Sequence, residues 1–312
     1  MTASEKTTLA WEDTEPIAGK LRAAAAAEIA GEAVVNDALP EYVKKCFNAD
    51  TAHEFEIFFA GTGAADFPAS RYGQPGVRGY ACTLLNGKVL IDAGVTSYRA
   101  LKRYGVDAAA LEEIWFTHSH DDHCFADALT ALLAERKERN AGKIILRGSK
   151  WVIGKIQSFL PENLAEQVDF IFCSAFEKFT CGNWCVIPVP ANHATGFADE
   201  ICLHFIISAE SKTLFYALDG GWLCAGTWEY IRQYKFDMII WDGTLEKSGD
   251  RRVFVHNDCR MVKEMIRSLT AIGTVKPETI HILSHLSLEA WEHPAKAEAP
   301  LAVAADGMKI YL

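Results

Sequence analysis

The chain has 312 residues, half of them hydrophobic, which is enough to bury a sizeable core. Basic residues number 31 against 41 acidic ones, so the net charge is −10 and the pI about 5.5. With no clustered Lys/Arg surface, this balance excludes a protein that grips long nucleic acid through its phosphates.

Residues 1 to 52 read as a helical extension, rich in Ala and Glu, with helical spacing from Pro16 to Ala38 and from Pro40 to Phe47. Glu5, Glu12, Asp13 and Glu15 replace the basic start of a secretion signal, and the Ala23 to Ala27 run is too short to span a bilayer. The expected location is cytoplasmic, with no membrane partner. The extension could be a dimerisation element of a homodimer, a lid or a solvated cap, and these readings stay open.

From residue 53 to 312 the texture becomes that of one hydrolase-sized domain, with short β-branched and aromatic runs between glycine turns. Strands are predicted at Phe55 to Phe59, Gly79 to Leu85, Lys88 to Asp92, Glu113 to Thr117 and Lys143 to Arg147. Further strands are predicted at Asp169 to Cys173, Trp184 to Val189, Ile201 to Ser208, Thr213 to Leu218, Met238 to Trp241, Thr279 to Ser284, Leu301 to Ala304 and Met308 to Tyr311. Asn86-Gly87 is a hairpin signal because both positions tolerate positive φ, and Asp306-Gly307 repeats it.

Helical patterns fall between, at Ser97 to Tyr104, Phe125 to Arg139, Ser149 to Phe159, Thr227 to Tyr234 and Asp258 to Ala271. In the second, Phe125, Leu129, Leu132 and Leu133 form an apolar stripe, and Arg136 to Arg139 are expected to solvate its far end. This alternation implies two sheets, each covered by helices. Nine scattered cysteines read as reduced, mostly buried thiols. Cys181 and Cys185 lack a second pair that would complete a structural metal site.

The densest chemistry lies at Thr117-His118-Ser119-His120-Asp121-Asp122-His123, directly after an apolar strand. In an extended segment alternate residues share a face, so His118 and His120 can converge on one ion while Asp122 and His123 turn toward a second. Imidazole and carboxylate suit Zn²⁺, Mn²⁺ and Fe ions. Later candidates repeat one pattern, a ligand just beyond a hydrophobic run: His193 after Trp184 to Val189, Asp219 after Thr213 to Leu218, and His285 after Thr279 to Ser284. A backbone anchored in a sheet can hold such a side chain rigidly over a shared crevice.

The order HxHxDH at 118 to 123, then His193, Asp219-Gly220 and His285, resembles the metallo-β-lactamase superfamily of metal-dependent hydrolases. The resemblance covers residues 54 to 312. It implies a four-layer αββα sandwich with two divalent ions, Zn²⁺ or Mn²⁺. One ion would be held by His118, His120 and His193, the other by Asp122, His123 and His285, with Asp219 bridging. Phe58-Phe59-Ala60-Gly61-Thr62-Gly63 and Leu90-Ile91-Asp92-Ala93-Gly94 look like the branch of phosphoribosyl cyclic phosphodiesterases and tRNA 3′-processing nucleases.

In that branch the position of His256 carries a catalytic histidine, which implies a general acid, although Asn257-Asp258 also makes a helix cap. Asp121 could orient a ligand histidine or cap the following helix, and Arg71 and Arg78 are candidate phosphate partners. The segment after His285 lacks the His-Asn that often follows in close relatives, so their substrate contacts are not carried over there. No long glycine- and basic-rich insertion resembles the arm that grips tRNA, and with the acidic balance the expected substrate is a small phosphodiester, cyclic ones included. A thioesterase of the glyoxalase II type and a non-catalytic metal-loaded accessory protein remain the alternative readings.

Overall fold

The structure, a computed structural model, describes residues 41–50, 52–247, 249–291 and 301–312. The helix expected at Pro16 to Ala38 lies outside these residues. The chain enters through helix α1 (Glu41–Lys45), then forms strands β1 (Glu56–Gly61), β2 (Cys82–Leu85) and β3 (Val89–Ile91), helix α2 (Ser97–Arg103) and β4 (Glu113–Trp115). Helix α3 (Ala126–Glu138), β5 (Ile144–Gly148), α4 (Lys150–Phe159), α5 (Glu162–Ala165) and β6 (Val168–Phe172) complete the first half. The second half runs β7 (Phe179–Cys181), β8 (Trp184–Pro190), β9 (Leu203–Ser208), β10 (Thr213–Ala217), α6 (Ala225–Ile231), β11 (Phe236–Asp242), α7 (Cys259–Ala271), β12 (Val275–Ser284), β13 (Leu301–Val303) and β14 (Lys309–Tyr311).

Two seven-stranded sheets result, in the orders β14-β1-β2-β3-β4-β5-β6 and β13-β12-β11-β10-β9-β8-β7. The two-residue period of each strand decides which layer a side chain joins. On β1, Ile57 and Phe59 face the other sheet, while Phe58 and Ala60 face helices; on β10, Leu214 and Tyr216 face inward, and Phe215 and Ala217 outward. Trp115, Phe205 and Tyr216 fill the space between the sheets. Leu101, Leu129, Leu132 and Ile156 from α2, α3 and α4 cover the first sheet, and Ile231, Val262, Met265 and Leu269 from α6 and α7 cover the second. This is the expected αββα sandwich. Val43 of α1 is buried in the same inter-sheet core, and Tyr311 N donates to Cys46 O at 2.7 Å, so this part of the extension packs onto the sandwich.

The Asn86-Gly87 hairpin forms as expected, with φ of 47° and 68° joining β2 to β3. Asp306-Gly307 does not form one, because β13 pairs with β12 in one sheet and β14 with β1 in the other. The turn crosses between sheets, and its direction is set by the Asp306 carboxylate, which accepts from Thr62 N at 2.9 Å and Gly79 N at 2.6 Å. Arg136 also departs from expectation. It is 2% exposed, and its guanidinium donates to the carbonyls of Ala108 (2.6 Å), Leu111 (2.7 Å) and Gly142 (2.9 Å), closing the loop ends beneath α3. All nine cysteines are free thiols. Among the described residues, no helix is long and apolar enough to cross a membrane.

His281 on β12 gives the fold a measurable acid sensitivity. It is 3% exposed, accepts from Trp241 Nε1 at 3.2 Å, and burial pushes its pKa down from 6.5 to about 3. The folded chain therefore keeps it neutral while the unfolded chain protonates it, so its contribution is full above about pH 6.5 and declines toward pH 3. Between pH 8 and pH 5 the stability advantage of wild type over His281→Gln should shrink by about 2 kcal/mol in urea unfolding. An advantage that stays constant over that range would refute the assignment.

Candidate active site

Every residue of the site stands at a strand end or in the loop just beyond, along one edge of both sheets. The first sheet supplies Asp92, after β3, and residues 117 to 123, after β4; the second supplies His193, Asp219, Asp242 and His285 from the ends of β8, β10, β11 and β12. His118 and His120 follow β4 in a segment that bends at Thr117 and Ser119. A turn then follows, closed by His123 N and Cys124 N on His120 O at 3.1 and 2.7 Å, and it sends Asp122 and His123 inward. Gly94 makes room for this turn, since a Cβ there would lie 1.7 Å from Asp122 O. Asp92, Asp219 and His285 hold left-handed backbone, with φ of 65°, 52° and 61°. Non-glycine residues seldom adopt it, and it turns these side chains out of the strand direction into the shared basin.

Two groups of side chains converge there. His118 Nε2 lies 3.0 Å and His193 Nε2 3.2 Å from His120 Nδ1. In the second group Asp122 Oδ2 lies 3.3 Å from His123 Nε2 and 3.6 Å from His285 Nε2. Asp219 stands between the groups. Its Oδ2 is 3.5 Å from His118 Nε2, 3.6 Å from His193 Nε2 and 3.1 Å from His123 Nε2, and its Oδ1 is 2.8 Å from His285 Nε2. His118, His120, His193 and Asp219 form one set with metal-ligand spacing, and Asp122, His123, Asp219 and His285 another.

Outer partners fix which nitrogen each ring presents. His123 Nδ1 donates to Asp92 Oδ2 at 2.8 Å, His118 Nδ1 meets Thr117 Oγ1 at 3.0 Å, His285 Nδ1 meets Thr244 Oγ1 at 2.8 Å, and His193 Nδ1 donates to Val255 O at 3.1 Å. In all four rings Nε2 is left facing the basin, the arrangement that readies imidazole for a metal. His123 Nε2, Asp219 Oδ1 and His285 Nε2 are buried and make no hydrogen bond of acceptable geometry, despite their short separations. Lone pairs aimed at a common point rather than at one another are what a cation needs, so the residues present fit divalent metal.

The electrostatics match. Burial lowers the pKa of His118, His120 and His193, favouring the neutral rings that ligate. Burial also opposes charge on His123, but Asp219, Asp122 and Asp92 outweigh it and raise the pKa well above normal; for His285 burial is outweighed chiefly by Asp219, and the pKa rises to about 10. Conversely, burial would raise Asp219, yet His123 and His285 hold it well below the usual carboxylate range. The buried carboxylates thus favour positive charge at His123 and His285, the place that a divalent cation would take.

His256 lies at the rim, 13% exposed, its ring stacked on His285 at 5.5 Å and its Nδ1 2.7 Å from Asp242 Oδ2. Burial opposes its charge, and Asp242 overcomes this and raises its pKa. Asp242 was not singled out in the sequence, although it ends a hydrophobic run as Asp219 does; Asp92, Thr117 and Thr244 were likewise overlooked as orienting groups. Asp121 plays neither part expected of it. The turn points it outward, 70% exposed, onto Lys155 Nζ at 2.7 Å, and the residue preceding α3 is Phe125. Arg78 is buried, donating to Thr62 Oγ1 and to Ala304 O at 2.8 Å, and Arg71 donates to Gln74 Oε1 at 2.9 Å in solvent. The Arg71 guanidinium serves its own loop, and that of Arg78 ties its loop to the chain after β13.

Solved structures share this architecture. A diphosphatase from the PhnP family is 16% identical, with a TM-score of 0.64 over 83% of this chain and 98% of that one. The metallo-β-lactamase fold protein YhfI from Bacillus subtilis is 17% identical, with a TM-score of 0.61 over 82% and 98%. The short form of human tRNase Z is 18% identical, with a TM-score of 0.59 over 82% and 98%. Among curated proteins none matches. The family description Anti-Pycsar protein Apyc1 matches residues 55–269, a stretch that takes in strands β1 to β11 and every basin residue but His285. On that match the chain belongs to the Apyc1 family, and its architecture is that of a metallo-β-lactamase fold.

Proposed function

We propose that the chain hydrolyses a small phosphodiester, a cyclic diester being the form we favour, with two divalent ions, Zn²⁺ or Mn²⁺. The observation that carries this reading is the Asp219 carboxylate set between two convergent ligand groups, 2.8 to 3.6 Å from four imidazole nitrogens. His118, His120 and His193 would hold one ion and Asp122, His123 and His285 the other, with Asp219 shared. Two ions so placed supply a water acidified toward neutrality and offset charge on phosphoryl oxygens. A diphosphatase and a tRNase among the structural neighbours support phosphoryl chemistry.

The chain's own residues supply the rest. Asp92, Thr117 and Thr244 hold the ligand rings in place, so no reorganisation is needed when substrate arrives. As an ester P–O bond breaks and a water oxygen bonds to phosphorus, the departing alkoxide needs a proton. His256 can give it from Nε2 because Nδ1 is committed to Asp242.

Elemental analysis should find two divalent ions per chain, and Asp219→Ala or thorough chelation should abolish hydrolysis of bis(p-nitrophenyl) phosphate while the circular dichroism of the fold persists. Full activity in either case, or activity on a thioester alone, would remove the proposal. His256→Ala should slow diesters with alkoxide leaving groups by about 10² to 10⁴-fold and nitrophenyl esters far less; equal losses would rule out the acid role. Asp92→Asn should weaken metal binding by about 10 to 100-fold, and an unchanged affinity would show that His123 needs no carboxylate behind it.

A further inference from the structure

The segment that carries His118 and His120 is gripped from outside the basin. Ser119 separates the two histidines and is 6% exposed. Its carbonyl accepts from Lys155 Nζ at 2.6 Å, and its hydroxyl donates to Glu200 Oε2. The second Glu200 oxygen accepts from Ser149 Oγ at 3.1 Å, and Ser149 in turn caps α4 by accepting from Val152 N. Glu200 lies in the connection between β8 and β9, the same loop that carries His193. One carboxylate therefore joins three pieces of chain: the HxHxDH segment, the His193 loop and the start of α4.

The geometry of the first ligand group makes this junction consequential. His118 and His120 come from the end of β4 and His193 from the end of β8, in different sheets, yet their nitrogens approach within 3.0 to 3.2 Å. Ligation tolerates only a few tenths of an ångström, so the two loops must be registered against each other. At the sheet ends Leu203 N does this by donating to Thr117 O at 2.9 Å. Farther along, the tie is Glu200 to Ser119. The second group is braced otherwise, through Asp92 on His123 and Thr244 on His285.

We propose that Glu200 is the positioning residue for one of the two ion sites: by fastening Ser119 to the His193 loop it sets the affinity of the His118–His120–His193 group and leaves the Asp122–His123–His285 group untouched. The inference rests on the two-ion reading above. No proton or electron moves through Glu200, which acts by holding two loops in register.

The test is calorimetric titration of Zn²⁺ into the metal-stripped full chain, where wild type should show two steps. In Glu200→Ala one step should weaken by about 10 to 100-fold and the other stay unchanged. The weakened step should be the one that His193→Ala removes, and adding Glu200→Ala to His193→Ala should have no further effect. Glu200→Gln, whose amide offers an oxygen to Ser119 and an N–H to Ser149, should recover most of the affinity. Ser119→Ala removes a single hydroxyl, should reproduce the loss, and carries the test if Glu200→Ala does not fold. Unchanged steps, equal weakening of both, or a Gln variant as weak as the Ala variant would each overturn the inference. A wild type that takes one ion overturns the two-ion reading instead; loss of that single step's affinity in Glu200→Ala would then uphold the tie, and its retention would sink it.

Discussion

A carboxylate almost wholly removed from water, whose ion-pair partners among the described residues are all histidines, is the constraint around which this molecule is arranged. Asp219 is 2% exposed, and Asp92, Asp122 and Asp242 are buried close by. Burying even one such charge costs several kcal/mol unless opposite charge and hydrogen bonds answer it. Here the answers come from imidazoles delivered by both sheets, so the two halves of the sandwich must meet at a fixed spacing. Trp115, Phe205 and Tyr216 set that spacing, and Tyr216 Oη lies 3.2 Å from Thr83 Oγ1 across the gap. The apolar core thus serves the polar edge.

Much of this could be read without coordinates. Residues 57–60 of β1, 214–217 of β10 and 238–241 of β11 are unbroken apolar runs, as strands buried on both faces should be. The three-residue β7 and four-residue α5 passed unnoticed because pieces that short carry no period. Asp306-Gly307 misled because a turn signal reports local backbone preference and says nothing about which sheet receives the next strand.

The same division holds in the site. Residues at strand ends were legible because a hydrophobic run that stops at His or Asp is unusual, and the seven proposed ligands all obey that rule or lie in the dense 118–123 cluster. What the pattern could not give was direction. Asp121 and Asp122 are equivalent in sequence and opposite in space, since a turn intervenes where extended chain was expected. Arg78 reads in the sequence as a phosphate partner, but its guanidinium is buried and hydrogen-bonded to Thr62 and Ala304. Orienting groups such as Thr117 and Thr244 are invisible to composition, as threonines are common in strands for other reasons. The sets around Asp219 also overlap, since Asp242 and His256 form a further cluster with Asp219 and His285. Exposure separates the ring held by Asp242, 13% exposed at the rim, from His118, His123, His193 and His285, which are buried at the centre.

The left-handed backbone at Asp92, Asp219 and His285 has a consequence for how this protein can change over generations. At these positions a replacement faces two independent filters, the chemistry of its side chain and its tolerance of a twist that branched residues resist. Asparagine passes the second while failing the first, so drift should leave well-folded descendants that are inert where Asp219 or His285 is replaced and weakened where Asp92 is. Valine or isoleucine fails both, and its lineage would lose the shape of the edge together with its reactivity.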